Sequence, residues 1–256
     1  MSIQLERIVP HLQNTGKTIW TTVTNYGYRL YTLNMLKSLS VWGLDRTMII
    51  LCLDSKSATL FERLGYRVVI TDESLERFCA WNTKGYDRIC YFKLEWIYRL
   101  LSLDRNVLLI DGDIVFLKNP AEDVQKWETG TNDVWIQNDS QNDQNVQNLC
   151  TGYMLIRSNH NTISLYDCVS DAGIRKYETC AFDNNDQTYF NKYIKPYIQY
   201  HPLPLEYYPN GKMYYENAVR LRNNATLIHF NWVHGHMKMA KMKEHKLWLL
   251  TEDEEI

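Results

Sequence analysis

From Lys17 to about Glu73 the chain alternates short β-branched, apolar runs with segments whose leucines recur on a helical period, and this alternation constrains the fold more than any other feature. Thr18–Thr24 reads as a strand, residues 28–40 as a helix with Leu30, Leu33, Leu36 and Leu39 on one face, residues 48–53 as a second strand, 57–64 as a second helix and 66–70 as a third strand. Strands separated by helices run parallel, because a parallel neighbour needs a long crossover, so an α/β, doubly wound sheet is predicted. Such sheets bind ligands beyond the carboxyl ends of their strands. Thr24, Asn25 and Tyr26 follow the first strand and Asp54 the second, which puts them on the candidate ligand edge. Asp54 is equally suited to cap the helix that follows it.

A longer helix over residues 86–103 carries Lys93 and leads into Asn106–Ile110, an almost wholly apolar strand that runs into Asp111, Gly112 and Asp113. Residues 114–117 are apolar again before Asn119 and Pro120 break the chain. Two acids thus interrupt an otherwise buried strand pair. Unpaired buried charge is costly, so a divalent cation is the expected neutraliser; a capped turn with two solvated acids is the alternative.

The second half is more polar. Residues 131–148 hold Asp139 and a run of Asn, Gln and Asp without a hydrophobic period, and their middle reads as a mobile loop near the site. Residues 150–156 return to a strand with a helix after it to Tyr166, and Asn184 opens another helix. Residues 225–230 form a last strand, which delivers His229, Asn231, His234 and His236; residues 237–250 look helical and basic, and 252–256 frayed. Three histidines at one strand exit favour a metal ligand among them.

The composition excludes several classes. With 256 residues the chain buries roughly 70–75% of its unfolded surface and needs no staple to fold. Its 28 basic and 30 acidic residues leave a net charge of −2, which offers no basic field for nucleic acid. No apolar run approaches the roughly 20 residues of a bilayer span, and the opening residues lack a signal-peptide pattern, so no membrane insertion and a cytoplasmic location are expected. Cys52, Cys79, Cys90, Cys150, Cys168 and Cys180 form no Cys-x-x-Cys pair and read as reduced core residues. Gly-x-Gly, P-loop, Gly-x-Ser-x-Gly and His-Glu-x-x-His patterns are all missing, so carboxylates, histidines and polar loops must do the binding.

The order of segments carries a resemblance: Asn25-Tyr26-Gly27-Tyr28, Leu53-Asp54, Lys93, the run Leu108-Leu-Ile-Asp-Gly-Asp-Ile-Val-Phe-Leu-Lys-Asn-Pro120, Thr151-Gly152-Tyr153, Asp186-Gln187 and His229-Phe-Asn-Trp-Val233. It is similar to the nucleotide-diphospho-sugar transferase family with a GT-A fold, close to glycosyltransferase family 77, over about residues 17–248. The resemblance implies a single Rossmann-like catalytic domain over residues 17–250, with an N-terminal extension over 1–16 and an acidic tail over 251–256. It implies Asp113 as a direct ligand of Mn2+ or Mg2+, with Asp111 sharing the metal or touching the ribose, and His229 as the third ligand with His234 as its alternative and His236 as a further one. Thr24, Asn25, Tyr26, Asp54, Lys93, Gly112 and Lys238 would hold the sugar nucleotide, although Lys238 also fits an ordinary basic helix face. Asp186 and Gln187 would lie under the anomeric carbon, unless they merely cap a helix, and Asp139 would approach the donor sugar or the acceptor hydroxyl. Cys150 stands where the family usually has Asn, and Tyr153 where it has Phe, which puts the donor sugar in question.

The function so implied is metal-dependent, retaining transfer from a UDP-sugar such as UDP-xylose or UDP-galactose to a glycan, a glycoprotein or a small hydroxyl acceptor. Paired acids with a metal would also suit a pyrophosphate-cleaving or nucleotidyl-transferring enzyme, and the fold without turnover would suit a sugar-nucleotide or glycan-binding module. Relatives of this kind in the Golgi lumen carry an anchor, so a catalytic domain without its anchor, or a viral chain, are alternatives for location.

Overall fold

The computed structural model describes residues 3–13, 15–144, 146–179 and 185–254. The strands are β1 (Thr18–Thr24), β2 (Ile49–Cys52), β3 (Arg67–Ile70), β4 (Asn106–Ile110), β5 (Ile114–Phe116), β6 (Val134–Asn138), β7 (Leu149–Ile156), β8 (Tyr200–Leu203) and β9 (Leu227–His229). A seven-stranded sheet takes the order β3-β2-β1-β4-β7-β6-β8, and β5 pairs with β9 in a separate ribbon. Strands β1 to β4 are mutually parallel, as their helical crossovers require. Only β7 runs against its neighbours β4 and β6, so the sheet is mostly rather than wholly parallel.

Both faces of the sheet are covered. The helix Lys84–Ser102 buries Phe92, Trp96, Ile97, Leu100 and Leu101 against Ile19, Leu51 and Leu109 on one face. The helices Arg29–Ser40 and Ser55–Arg63 bury Met35, Leu36, Leu39 and Phe61 against Ile50, Leu108 and Ile110 on the other. Apolar residues on both sides of β2 and β4 are what a doubly covered strand demands. The buried Trp96 indole N–H donates to Thr21 Oγ1 at 2.7 Å. Ile3, Ile8 and Leu12 of the N-terminal segment join the same core, and the Ile3 amide donates to Glu95 Oε1 at 2.8 Å.

Three expectations need correction, and one strand was not foreseen. The segment 131–148 contains a strand, β6, whose five residues are all buried. Residues 200–203 form an edge strand that the pattern did not announce. The basic C-terminal helix is His236–Glu244 and stops before residue 250. The acidic tail is tied down over Glu252–Glu254, where Glu254 pairs with Lys37 at 2.5 Å. Of the cysteines, Cys52, Cys90, Cys150 and Cys168 are buried free thiols and Cys79 is half-buried and free; Cys180, like Asn184, lies outside the described residues.

Candidate active site

The carboxyl ends of β1 and β4, the residues after β6 and β9, and the start of β7 open into one cleft of about 540 Å³. The acidic turn between β4 and β5 forms its floor. The Asp111 amide donates to Gly152 O at 2.7 Å and the Phe230 amide to Asp113 O at 3.0 Å, so strands on both sides clamp the turn. The β5–β9 register sets Ile114 opposite His229. As a result Asp111, Asp113 and His229 offer ligand atoms within 4.8 Å of one another. Two carboxylates and one imidazole make a hard, mixed oxygen and nitrogen donor set that suits Mn2+ or Mg2+. Gly152 keeps this space open: a Cβ there would overlap the His229 ring and lie 2.8 Å from Asp111 Oδ2.

The charges in the cleft interlock. Lys238 Nζ lies 2.5 Å from Asp113 Oδ2 and 3.0 Å from the Tyr28 hydroxyl. Burial alone would raise the Asp113 carboxyl, but Lys238 and His229 outweigh it and hold the group well below the usual carboxylate range. Burial opposes charge on His229 too, and the Asp113 carboxylate reverses that, which lifts the imidazole well above its ordinary value. Lys93 is buried between Asp111 Oδ1 at 2.9 Å and Asp186 Oδ2 at 2.8 Å. Its ammonium survives burial because those two acids raise it more than desolvation lowers it.

Asp186 opens the short helix Asp186–Tyr189, yet the cap is Asn185, whose side chain accepts from the Thr188 amide at 2.7 Å. Asp186 is thereby left to Lys93 and to the Thr151 hydroxyl, which donates at 2.6 Å. Burial pushes the Asp186 carboxyl up, and the Lys93 ammonium brings it below its ordinary value. Asp139 is buried without a cationic partner among the described residues and collects neutral donors instead: Trp232 Nε1 at 2.9 Å, Gln187 Nε2 at 3.0 Å, Asn231 Nδ2 at 3.0 Å and Asn148 Nδ2 at 3.3 Å.

The structure divides the sequence-predicted residues. Thr24, Asn25, Lys93, Asp111, Gly112, Asp113, Asp139, Asp186, Gln187, His229, His234 and Lys238 line the cleft. Asp54 does not: it is fully buried, and its carboxylate accepts from the Ser57 amide, the Ser57 hydroxyl and the Tyr26 amide, each at 2.8 Å. It caps the helix and anchors the turn at Tyr26, so the capping reading holds. The Tyr26 ring lies beneath Arg29 at 4.2 Å and borders a separate groove. Asn25 spends its amide on Leu75 O and Arg77 O, tying down the loop that carries Phe78 and Trp81. His234 sits at the rim with its ring stacked on Trp81 at 5.6 Å, while His229 faces the acids; His236 is exposed at the start of the last helix.

Sequence reasoning did not find Thr151, Asn231 or Trp232 as site residues. Asn231 and Trp232 lie just beyond His229, and the left-handed φ of 63° at Trp232, uncommon for an aromatic residue, marks a backbone bent toward the cleft.

Comparison with known proteins agrees with this geometry. A model of the family described as nucleotide-diphospho-sugar transferase matches residues 43–244. A UDP-galactose:fucoside alpha-3-galactosyltransferase of Dictyostelium discoideum is 27% identical over 98% of this chain, which spans 45% of that relative. The glycosyltransferase GlyE of Streptococcus pneumoniae shares the fold at a TM-score of 0.58 and 15% identity, over 93% of this chain and 61% of its own. The galactosyltransferase LgtC does so at 0.55 and 14% identity, over 91% and 98% of the two chains. Mouse xyloside xylosyltransferase 1 superposes at 0.52 and 10% identity, over 83% and 97%. The GT-A architecture expected from the sequence is the one observed.

Proposed function

The chain belongs to the nucleotide-diphospho-sugar transferase family, and from that premise we propose that it is a divalent-cation-dependent glycosyltransferase that moves a sugar from a UDP-sugar to a hydroxyl of a glycan, glycoprotein or small acceptor, with retention at the anomeric carbon. The observation that carries the reading is the convergence of Asp111, Asp113 and His229 on one point of the cleft floor. A divalent cation bound there would neutralise the diphosphate charge that grows as the glycosidic bond breaks.

The remaining steps belong to the chain's own side chains. Lys238, beside Asp113 and the Tyr28 hydroxyl, offers its ammonium to the leaving diphosphate. Thr24 and Asn25 form the wall nearest the nucleoside, and Asp54 supports that wall from behind through the Tyr26 amide. Lys93 keeps Asp111 and Asp186 apart from each other's charge while holding both in place. Asp139 takes the amide nitrogen of Gln187, so Oε1 is the end of that amide left for the reacting sugar. There it can shield an oxocarbenium-like centre on the face opposite the leaving group. Asp139, with Trp232 and Asn231, orients sugar hydroxyls around that centre. The UDP-galactose named for the Dictyostelium relative makes UDP-galactose the first donor to try, with UDP-xylose and UDP-glucose beside it.

UDP release from this donor panel with Mn2+, with and without chelator, tests the reading. We expect release with at least one donor, its loss on chelation, and a drop in kcat on the order of 100-fold or more for Asp113→Ala, beyond what loss of an outer partner of a metal ligand costs. The product anomer, read by NMR, tests retention. Release of UMP or a sugar phosphate in place of UDP would refute glycosyl transfer.

A further inference from the structure

A histidine can serve a metal through only one of its ring nitrogens, and which one is set by the hydrogen bond at the other. His229 turns Nε2 toward Asp113 Oδ1 at 3.3 Å and Nδ1 toward Gln137 Oε1 at 2.7 Å. The Cys150 thiol lies farther from the same Nδ1, at 3.6 Å. Gln137 is fully buried on β6, and its Nε2 is within 3.1 Å of two carbonyl oxygens, those of Tyr208 and Pro209. Only an NH2 group can satisfy two carbonyls at once; reversing the amide would set oxygen against oxygen twice. Oε1 must therefore face His229, and an acceptor there requires the hydrogen to sit on Nδ1. In the neutral ring that a metal ligand requires, the lone pair is then left on Nε2, the nitrogen that looks at the acidic pair.

A second observation concerns the strand. The β6–β7 ladder shifts register between Ile136 and Gln137, which brings Gln137 opposite Cys150 instead of continuing the pairing of Ile136 with Met154. Such an irregularity re-aims a side chain next to a functional site. A neutral amide also suits the place better than a carboxylate, because Asp111, Asp113, Asp139 and Asp186 already crowd the cleft with negative charge.

We propose that Gln137 is the positioning residue of the cation site: clamped by two backbone carbonyls, it fixes the ring orientation and tautomer of His229 so that Nε2 is presented to a divalent cation. The inference rests on the reading that Asp111, Asp113 and His229 hold that cation.

The experiment has two arms. In Mg2+-saturated wild-type protein, the long-range proton–nitrogen NMR spectrum of the His229 ring should show the hydrogen on Nδ1; a ring protonated on Nε2 overturns the inference without any variant. Mn2+ affinity is then measured by electron paramagnetic resonance in the absence of donor. Gln137→Met, which fills the space but cannot accept, should weaken binding about 10–100-fold. Gln137→Glu, whose carboxyl group keeps an acceptor for Nδ1 but weakens the clamp on Tyr208 and Pro209, should weaken binding clearly less than Gln137→Met. Equal weakening in both variants would assign Gln137 a purely structural part and overturn the proposal, as would wild-type affinity in Gln137→Met. Wild-type protein that binds no Mn2+ overturns the cation reading itself, and this inference with it.

Discussion

The Lys93 ammonium is the residue on which the charge pattern of the cleft turns. It is buried, and the carboxyl groups of Asp111 and Asp186, at 2.9 and 2.8 Å, raise it more than burial lowers it. Asp186→Asn removes one of them and should lower stability on the order of 3 kcal/mol, as measured by urea unfolding near neutral pH. The sign with pH follows from the folded-state value of Asp186, which lies below the ordinary one. Its contribution is full above the unfolded carboxylate value of about 3.9 and disappears as pH falls through the folded value. The stability gap between wild type and Asp186→Asn should therefore be constant above about pH 5 and close below about pH 4; a gap that instead widened in acid would contradict the ion pair. While Lys93 entered only through the family resemblance, Asp111, Asp113 and His229 were legible in the sequence because charged or ligating groups at the end of an apolar strand need a reason to be there. Gln137, Thr151 and Asn231 were not, because a neutral polar residue carries no such penalty on its face. Their roles arise only when strands distant in sequence meet.

Among the elements, β1 to β4 and the helices that alternate with them were predicted, whereas β6, β8 and the amphipathic helices Ala121–Thr129, Asp171–Glu178 and Gly211–Leu221 were missed. β6 offers just Val134, Trp135 and Ile136 before polar residues resume, and its Gln137 and Asn138 are buried for the sake of hydrogen bonds rather than area. β8 contains Pro202 and lies at the edge of the sheet, the position where a strand tolerates a residue without an N–H. The helix Ser55–Arg63 was foreseen, but whether Asp54 served it or a ligand was not decidable from spacing. Its three hydrogen bonds make a direct test possible. Asp54→Ala should cost about 2 kcal/mol in chemical denaturation, the upper range for a lost cap. Asp54→Asn, still able to accept from the Ser57 amide, should recover at least half of that. Under a direct nucleoside contact the Asn variant would instead retain stability and lose donor affinity selectively.

For the molecule as a whole, the cation site couples chemistry to stability. A ligand that binds only the folded state at 100 times its dissociation constant adds about 2.7 kcal/mol. In a chain of this size that corresponds to a rise in thermal midpoint of roughly 5–10 °C. Calorimetric scans with saturating Mn2+ should show that rise, Asp113→Ala should lose it, and monovalent salt at equal ionic strength should not reproduce it. Among the described residues no helix is long and apolar enough to cross a membrane.

The pairing of β5 with β9 also orders events in time. Asp111 and Asp113 are synthesised more than 100 residues before His229. The parallel half of the sheet, β1 to β4, has all its strands available early and can condense around the Lys84–Ser102 helix first. The acidic turn must then wait, open to solvent, until β9 docks beside β5. A nascent or truncated chain that ends before residue 227 can thus own most of the core and still lack the third ligand, so that cation capture reports that β9 has been made and has docked.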